Sequence, residues 1–320
     1  MSPESSSVSA GSSNGRTTIA VYVATYRRNE PLATLLESIL VAADAVADQA
    51  AVGMIVVDDN PDGAAKDVVD RFEGRFELGI HYRHVGLGNI SLVRNIGLDA
   101  GIELAEWVAM TDDDCVVSPQ WLAELLAVQR RTDADALTGP CELRIPDGSP
   151  AWMTDQPFLN EGLMHAADGA SMPVAATHNS MVSSEWFRRH GDVRFDPELG
   201  VLGGEDMVMF RTAAQLGLRI HFAAAAVVYG YESADRTTLR YRLRSNYWLG
   251  NTECVTNLAL GMATRPRLAL RGSRLLVTAA TRPFGRLAQR RPPQWRFALA
   301  LMAQSAGLIL GAFGVRRAHH

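Results

Sequence analysis

Lysine is almost absent from this chain of 320 residues, because every one of its 31 basic residues except Lys66 is an arginine. The ATP-binding P-loop requires Gly-Lys-Ser or Gly-Lys-Thr, and the chain contains neither sequence. Cysteine is also scarce: Cys115, Cys141 and Cys254 are odd in number and widely spaced. This spacing excludes a disulfide framework and a zinc-finger pattern, and it favours a reducing, cytoplasmic location.

Acidic residues are missing from the last part of the chain. All 35 Asp and Glu residues lie in 1–253, whereas residues 254–320 carry 11 arginines and no acid. The formal net charge of −4 therefore combines an acidic body with a basic tail. Such a tail suits an anionic membrane surface or a nucleic acid. Because the tail has few aromatic residues and no recognition motif, we expect no binding to nucleic acid.

Residues 297–315 form a stretch without any charge, flanked by Arg296 and Arg316. The length permits a membrane span, but many alanines and glycines make this a weak one. A soluble helical hairpin or an oligomer interface is the alternative. The flanking arginines favour a peripheral or re-entrant contact with the cytoplasmic face of an anionic membrane.

The body alternates between short apolar runs and helical periodicity from Thr18 onward. This rhythm predicts an α/β fold with a mostly parallel sheet and helices on both faces. The Ser- and Gly-rich residues 1–17 are expected to form a disordered leader. We expect a catalytic domain at 18–235 and a basic helical region at 236–320.

Polar clusters follow three predicted strands, at 26–29, 58–62 and 112–114. Ligands of such sheets bind beyond the carboxyl ends of the strands. Asp112 and Asp114, two residues apart, point the same way in extended backbone and can share a hard divalent cation. A solvated acidic turn is the plain alternative. The DxDxV nucleophile motif of haloacid-dehalogenase-type phosphatases also fits, but it needs a downstream lysine, and Lys66 lies upstream.

Other candidates also have structural alternatives. Asp58 and Asp59 can accept hydrogen bonds from a nucleotide, or they can form an Asx turn. Arg94 can face phosphates or lie on the surface. Asp206, in the first turn of a predicted helix after Gly203-Gly204-Glu205, can act as a base or cap the helix.

Five motifs occur in an order that resembles family 2 glycosyltransferases with the Rossmann-like GT-A fold, over roughly residues 18–250. They lie at residues 21–28, 56–60, 91–97, 111–114 and 203–206. The resemblance implies an inverting, metal-dependent transfer of a sugar from a nucleotide-diphosphate sugar to a hydroxyl acceptor. The acceptor would be a glycan or a lipid-linked glycan in polysaccharide or glycolipid assembly.

The same resemblance implies roles for individual residues. Tyr26 and Asp59 would hold the base, with Thr25 and Asp58 beside them and Arg94 supporting the pocket. Asp112 and Asp113 would contact the donor, and Asp114 with Asp112 would ligate Mg²⁺ or Mn²⁺. Asp206 would deprotonate the acceptor, and Glu205 would orient Asp206 or the acceptor.

The chain departs from the family after its last core strand, where many members carry a metal-binding histidine. Residues 227–232 contain none, so the third metal ligand stays unassigned. A non-catalytic nucleotide-sugar or glycan-binding protein on the same scaffold is a further alternative. The joint presence of Asp112, Asp114 and Asp206 argues against it.

Overall fold

The first half of the chain alternates between strands and helices as the sequence predicts. The computed structural model describes residues 15–160 and 164–317, so most of the expected leader lies outside the described residues. Thr17 already belongs to the first strand, one residue earlier than expected. The elements are β1 (Thr17–Thr25), α1 (Asn29–Asp44), β2 (Ala50–Asp58), α2 (Lys66–Asp70), β3 (Ile80–His84), α3 (Ile90–Leu104) and β4 (Trp107–Thr111).

The second half has shorter strands. These elements are β5 (Cys115–Val117), α4 (Trp121–Thr132), β6 (Ala136–Thr138), β7 (Cys141–Arg144), α5 (Trp152–Asp155), β8 (Ser171–Met172), β9 (Asn179–Ser183), α6 (Ser184–Arg189), α7 (Glu205–Gln215), β10 (Ile220–Phe222) and β11 (Val228–Tyr231). Three tail helices follow: α8 (Leu239–Ala259), α9 (Arg265–Ala288) and α10 (Trp295–Ala312).

The main sheet has eight strands in the order β3-β2-β1-β4-β9-β6-β10-β8. The first four strands are parallel, as predicted. Strand β9 runs antiparallel to both β4 and β6, so the whole sheet is mixed. A small second sheet has the order β5-β11-β7 and places the end of β11 beside residues 112–114.

Helices cover both faces of the main sheet, because β1 is apolar on both sides. Ile19, Val21 and Val23 pack in one core with α1 and α4. Ala20 and Tyr22, which point the opposite way, pack in the other core with α3, α6 and α7. The carboxyl ends of β1, β2 and β4 therefore open at one edge of the sheet between these layers.

The tail helix α10 packs closely on α8 through glycine. A Cβ atom at Gly307 would lie 1.9 Å from the carbonyl oxygen of Tyr247, and one at Gly250 would lie 2.0 Å from that of Gln304. Within the described residues, α10 is the one helix long and apolar enough to cross a membrane, and 44% of it is buried inside the protein. Its length and composition therefore also suit a helix of the protein interior.

We expect Gly307→Val to separate α8 from α10 and to lower the free energy of unfolding by about 3 kcal/mol. The added side chain has no room between the two backbones. Urea denaturation measures the change. Gly285→Val is the matched control, because no atom lies within 4 Å of a Cβ placed there. Equal stability of the two variants would contradict the close packing.

Candidate active site

A cavity of about 980 Å³ opens at the carboxyl ends of β1, β2 and β4. It brings together eight of the ten residues singled out in the sequence. These are Thr25, Tyr26, Asp59, Arg94, Asp112, Asp113, Glu205 and Asp206. Asp114 lines an adjoining cavity of about 250 Å³, which shares Asp112 and His178 with the larger one.

Asp59, which lines the large cavity, is held by backbone groups. Its backbone N–H donates to the carbonyl oxygen of Thr25 at 2.9 Å. Its carboxylate accepts hydrogen bonds from the N–H groups of Leu87 and Gly88. Tyr26, half exposed, also lines this cavity. An aromatic ring beside a fixed carboxylate can receive a base by stacking and hydrogen bonding.

Asp58 does not reach the cavity. Its carboxylate is fully buried and accepts from the N–H of Asn60 at 2.9 Å, the N–H of Ala65 at 2.9 Å and the hydroxyl of Tyr82 at 2.8 Å. These contacts hold the turn between β2 and α2. The structure therefore places Asp58 under the site, in the Asx turn that was the structural alternative.

The three adjacent aspartates lie in a turn, in which the N–H of Cys115 donates to the backbone oxygen of Asp112 at 3.1 Å, rather than in the extended backbone that the sequence predicts. Asp113 is buried and accepts from the Thr25 hydroxyl at 2.9 Å and from Arg28 at 2.6 Å. Burial raises the pKa of the Asp113 carboxyl, and Arg28 opposes this shift. Asp112 lines both cavities, and Asp114 lines the smaller one, so these two carboxylates border the same space.

Asp114 is held by two guanidinium groups. Arg28 lies 2.9 Å and Arg236 lies 3.5 Å from its Oδ2 atom. Burial raises the pKa of the Asp114 carboxyl to about 6, although Arg28 lowers it. The N–H of Tyr231 donates to the backbone oxygen of Asp114 at 2.9 Å, so Glu232 comes next to this aspartate.

The donor set suits a divalent ion that a substrate helps to hold. The described residues contain no group of three His, Cys, Asp or Glu side chains able to bind an ion by themselves. Mg²⁺ usually takes only one or two protein carboxylates and completes its shell with substrate phosphates and water. Asp112 and Asp114 meet that need. Glu232 lines the same cavity, and two arginines hold its carboxylate: Arg242 lies 3.1 Å from Oε1 and Arg236 lies 4.0 Å from Oε2.

Arg94 connects Asp112, which follows β4, with Glu205, the first residue of α7. Its side chain is only 13% exposed and forms ion pairs with Glu205 and, at 3.4 Å, with Asp112. Burial raises the pKa of the Glu205 carboxyl, and Arg94 lowers it. A guanidinium that satisfies two carboxylates is a positioning group in this arrangement, rather than a surface arginine.

The turn before α7 requires glycine. Gly203 and Gly204 have φ angles of +84° and +86°, in the region that other residues adopt at a cost. Trp248 of α8 covers this turn: a Cβ atom at Gly203 would lie 2.2 Å from its ring, and its Nε1 donates to the oxygen of Leu202 at 3.0 Å. The first turn of α7 then presents Asp206 to the cavity.

Trp248 lines the cavity but is not among the ten site residues predicted from the sequence. The sequence holds a weak signal for it, since an aromatic side chain stands in a helix directly after the last core strand. A tail helix therefore helps to build the site.

Two family models match the chain. Glycosyl transferase family 2 matches residues 20–191, more than half of the chain, and Glycosyl transferase family group 2 matches residues 107–313. The chain belongs to glycosyl transferase family 2. This glycosyltransferase is 31% identical over 302 residues to the Succinoglycan biosynthesis protein ExoM of Rhizobium meliloti (strain 1021), covering 93% of the chain and 94% of that relative.

Solved structures share the fold. The glycosyltransferase aligns with S. aureus TarS 1-349 in complex with UDP-GlcNAc at a TM-score of 0.52 and 14% identity, covering 88% of this chain and 90% of that one. GalNAc-T7 with UDP, GalNAc and Mn²⁺ aligns at a TM-score of 0.51 and 15% identity, covering 76% of this chain and 51% of that one. The chain spans 39% of a longer TarS chain. These likenesses confirm the predicted GT-A fold, and family membership sets aside the phosphatase and the non-catalytic binding protein.

Proposed function

We propose that this glycosyltransferase moves a sugar, with inversion, from a nucleotide-diphosphate sugar to a hydroxyl of a glycan or lipid-linked acceptor. One observation carries the proposal. Asp59, Asp112 and Asp206 all line a single cavity, and its volume of about 980 Å³ is in the range of small-molecule sites. The TarS complex with UDP-GlcNAc makes UDP-GlcNAc the first donor to test.

Tyr26 and Asp59 are proposed to receive the base, with Thr25 fixing the end of β1 beside them. Thr25 does so through two contacts, since its carbonyl accepts from Asp59 and its hydroxyl donates to Asp113. Asp112 would then lie toward the ribose and the diphosphate. Arg94 keeps the Asp112 and Glu205 carboxylates in fixed positions.

Asp206 is proposed to take the proton of the acceptor hydroxyl. The acceptor oxygen forms a bond to the anomeric carbon as the bond from that carbon to the diphosphate oxygen breaks. Because attack comes from the face opposite the leaving group, the configuration inverts. The N-terminal end of α7 stabilises the Asp206 carboxylate, and the N–H of Met207 donates to its Oδ1 at 2.7 Å.

Asp112 and Asp114 are proposed to hold Mg²⁺ or Mn²⁺. When bound, such an ion offsets the charge that develops on the departing diphosphate. Support comes from the two carboxylates bordering one cavity, which the Glu232 carboxylate also lines. The GalNAc-T7 structure contains Mn²⁺, which makes Mn²⁺ the first ion to test.

Asp114→Asn should remove the dependence of UDP affinity on Mn²⁺ and reduce transfer about 10²-fold or more. The amide is a poor ligand for a hard cation, while the nucleoside end of the cavity stays intact. Titration calorimetry with UDP, with and without Mn²⁺, measures the effect. Asp147→Asn, at an exposed position, is the control. An Asp114→Asn enzyme that stays active and ignores chelators would overturn the metal role.

We propose a location on the cytoplasmic face of the membrane and a role in polysaccharide or glycolipid assembly. The relative ExoM is a succinoglycan biosynthesis protein, and the basic tail suits an anionic surface.

The function is tested by incubating the enzyme with UDP-, GDP- and TDP-sugars and with free or lipid-linked glycans. NMR coupling at the anomeric carbon of the product should show inversion. Retention of configuration, or donor hydrolysis without transfer, would contradict the proposal.

A further inference from the structure

Helix α9 turns an apolar stripe away from the protein. Five large side chains on it are between 42% and 63% exposed, although they are apolar: Leu270, Leu276, Val277, Phe284 and Leu287. Successive members are six, one, seven and three residues apart, which places all five within about a third of the circumference of a helix. We call this set the outer face of α9. An exposed apolar stripe of this length marks a site of contact.

The opposite side of α9 is already occupied. Leu268, Gly272, Ala279 and Pro283 are buried, and a Cβ atom at Gly272 would lie 2.6 Å from Ile309 of α10. Helix α9 therefore already packs one side against α10, and the outer face is a second apolar side that the protein does not cover.

Trp295 extends the outer face to the start of α10. Its ring contacts that of Phe284 edge to face, with the ring centres 5.4 Å apart, and it is 47% exposed. Trp and Phe at the edge of an amphipathic helix are typical of the boundary between lipid headgroups and acyl chains.

Arginines border this face. Arg267, Arg271 and Arg274 follow one another at helical spacing on the adjacent side of α9, and all three are exposed. Arg271 pairs with Glu253 at 2.9 Å. Glu253 of α8 offsets Arg271, and no acidic residue follows Glu253 in the sequence, so the rest of the tail supplies no carboxylate side chain for Arg267 and Arg274. The charge of the border complements an anionic surface.

We infer that the outer face of α9 lies in the headgroup region of an anionic lipid membrane, with the helix axis parallel to the surface. The apolar side chains enter the acyl boundary while Arg267 and Arg274 meet lipid phosphates. This inference rests on the proposed peripheral location and assigns it to α9. Helix α10, which packs on α8 through Gly307, stays within the protein.

The arrangement fixes the distance between membrane and site. Helix α9 packs on α10, α10 packs on α8, and α8 carries Trp248 at the cavity. A lipid-linked acceptor would therefore meet the cavity from a membrane held at a constant position.

The test is flotation of the full chain with vesicles of phosphatidylcholine, with or without phosphatidylglycerol. Wild-type protein should bind the anionic vesicles and lose much of the binding in high salt. The double variant Val277→Gln/Phe284→Gln should bind about tenfold or more weakly. Arg267→Gln/Arg274→Gln should lose the preference for anionic lipid. Val41→Gln and Leu216→Gln, at exposed apolar positions outside the tail, should bind as wild type does.

The inference fails if wild-type protein does not float, or if Val277→Gln/Phe284→Gln floats as wild type does. It also fails if light scattering shows a dimer that this double variant dissociates, since a second copy would then cover the face. UDP-GlcNAc affinity, measured on the same preparations, reports separately on the proposed function. Vesicle binding without any donor binding would sustain the membrane contact and contradict the donor assignment.

Discussion

Asp206→Asn should abolish sugar transfer while donor binding remains intact. The amide keeps the size of the side chain but cannot accept the proton of the acceptor hydroxyl. The loss of general-base assistance predicts a fall in kcat of about 10²–10⁴-fold. Because Asp206 belongs to the first turn of α7, whereas Asp59 follows β2, we expect donor affinity to change little. Initial rates and calorimetric titration with donor on the same preparation measure the two quantities.

Asp67→Asn is the matched control for this substitution. Asp67 lies in the first turn of α2, as Asp206 lies in the first turn of α7, but it is exposed and lines none of the cavities described above. It should keep both transfer and binding. Turnover near the wild-type rate in Asp206→Asn would remove this residue from the role of base.

Arg94→Gln should cost about 3–5 kcal/mol of folding stability, because it leaves two carboxylates without their shared cation. Glu205 is the more affected, since its side chain is 7% exposed. Transfer should be lost as well, because both Asp112 and the first turn of α7 lose a positioning contact. Urea denaturation measures the stability, and Arg75→Gln is the control, since its ion pair with Glu37 is exposed and worth about 1 kcal/mol or less.

The stability deficit of Arg94→Gln should depend on pH in a definite direction. Burial raises the pKa of Glu205 in the folded protein, and removal of Arg94 raises this pKa further. A carboxyl whose folded pKa exceeds its unfolded pKa makes the protein less stable as pH rises through that interval. The deficit should therefore be small in acid and full near neutrality. Arg94→Gln/Glu205→Gln should recover much of the stability, and a deficit independent of pH would contradict the buried charge network.

The strand ends could be predicted from the sequence because β1, β2 and β4 are short apolar runs followed at once by polar residues. The directions of the Asp58 and Asp59 carboxylates could not be predicted. Side chains alternate along extended backbone, so one of Asp58 and Asp59 must point into the protein, and the sequence does not say which. The structure turns Asp58 inward onto Ala65 and Tyr82 and leaves Asp59 in the cavity.

Long-range contacts determine the remaining features of the fold and the site that could not be predicted from the sequence. Strands β6 and β7 have three and four residues, too few for a periodic pattern, and the antiparallel position of β9 is defined by its pairing with β4 and β6. Trp248 reaches the glycine turn across 45 residues of chain. The apolar composition of α10 suits both a membrane span and a helix that packs inside the protein. The close approach of Gly307 to the backbone of α8 shows that α10 packs on α8.

The most direct test of the account is titration of the wild-type enzyme with UDP-, GDP- and TDP-sugars, with and without Mn²⁺. The account predicts that one nucleoside class binds, that Mn²⁺ tightens this binding, and that Asp59→Asn weakens it. Absence of binding by every nucleotide sugar in the presence of Mn²⁺, or binding that Asp59→Asn and Asp114→Asn leave unchanged, would contradict the assignment of this cavity as the donor site.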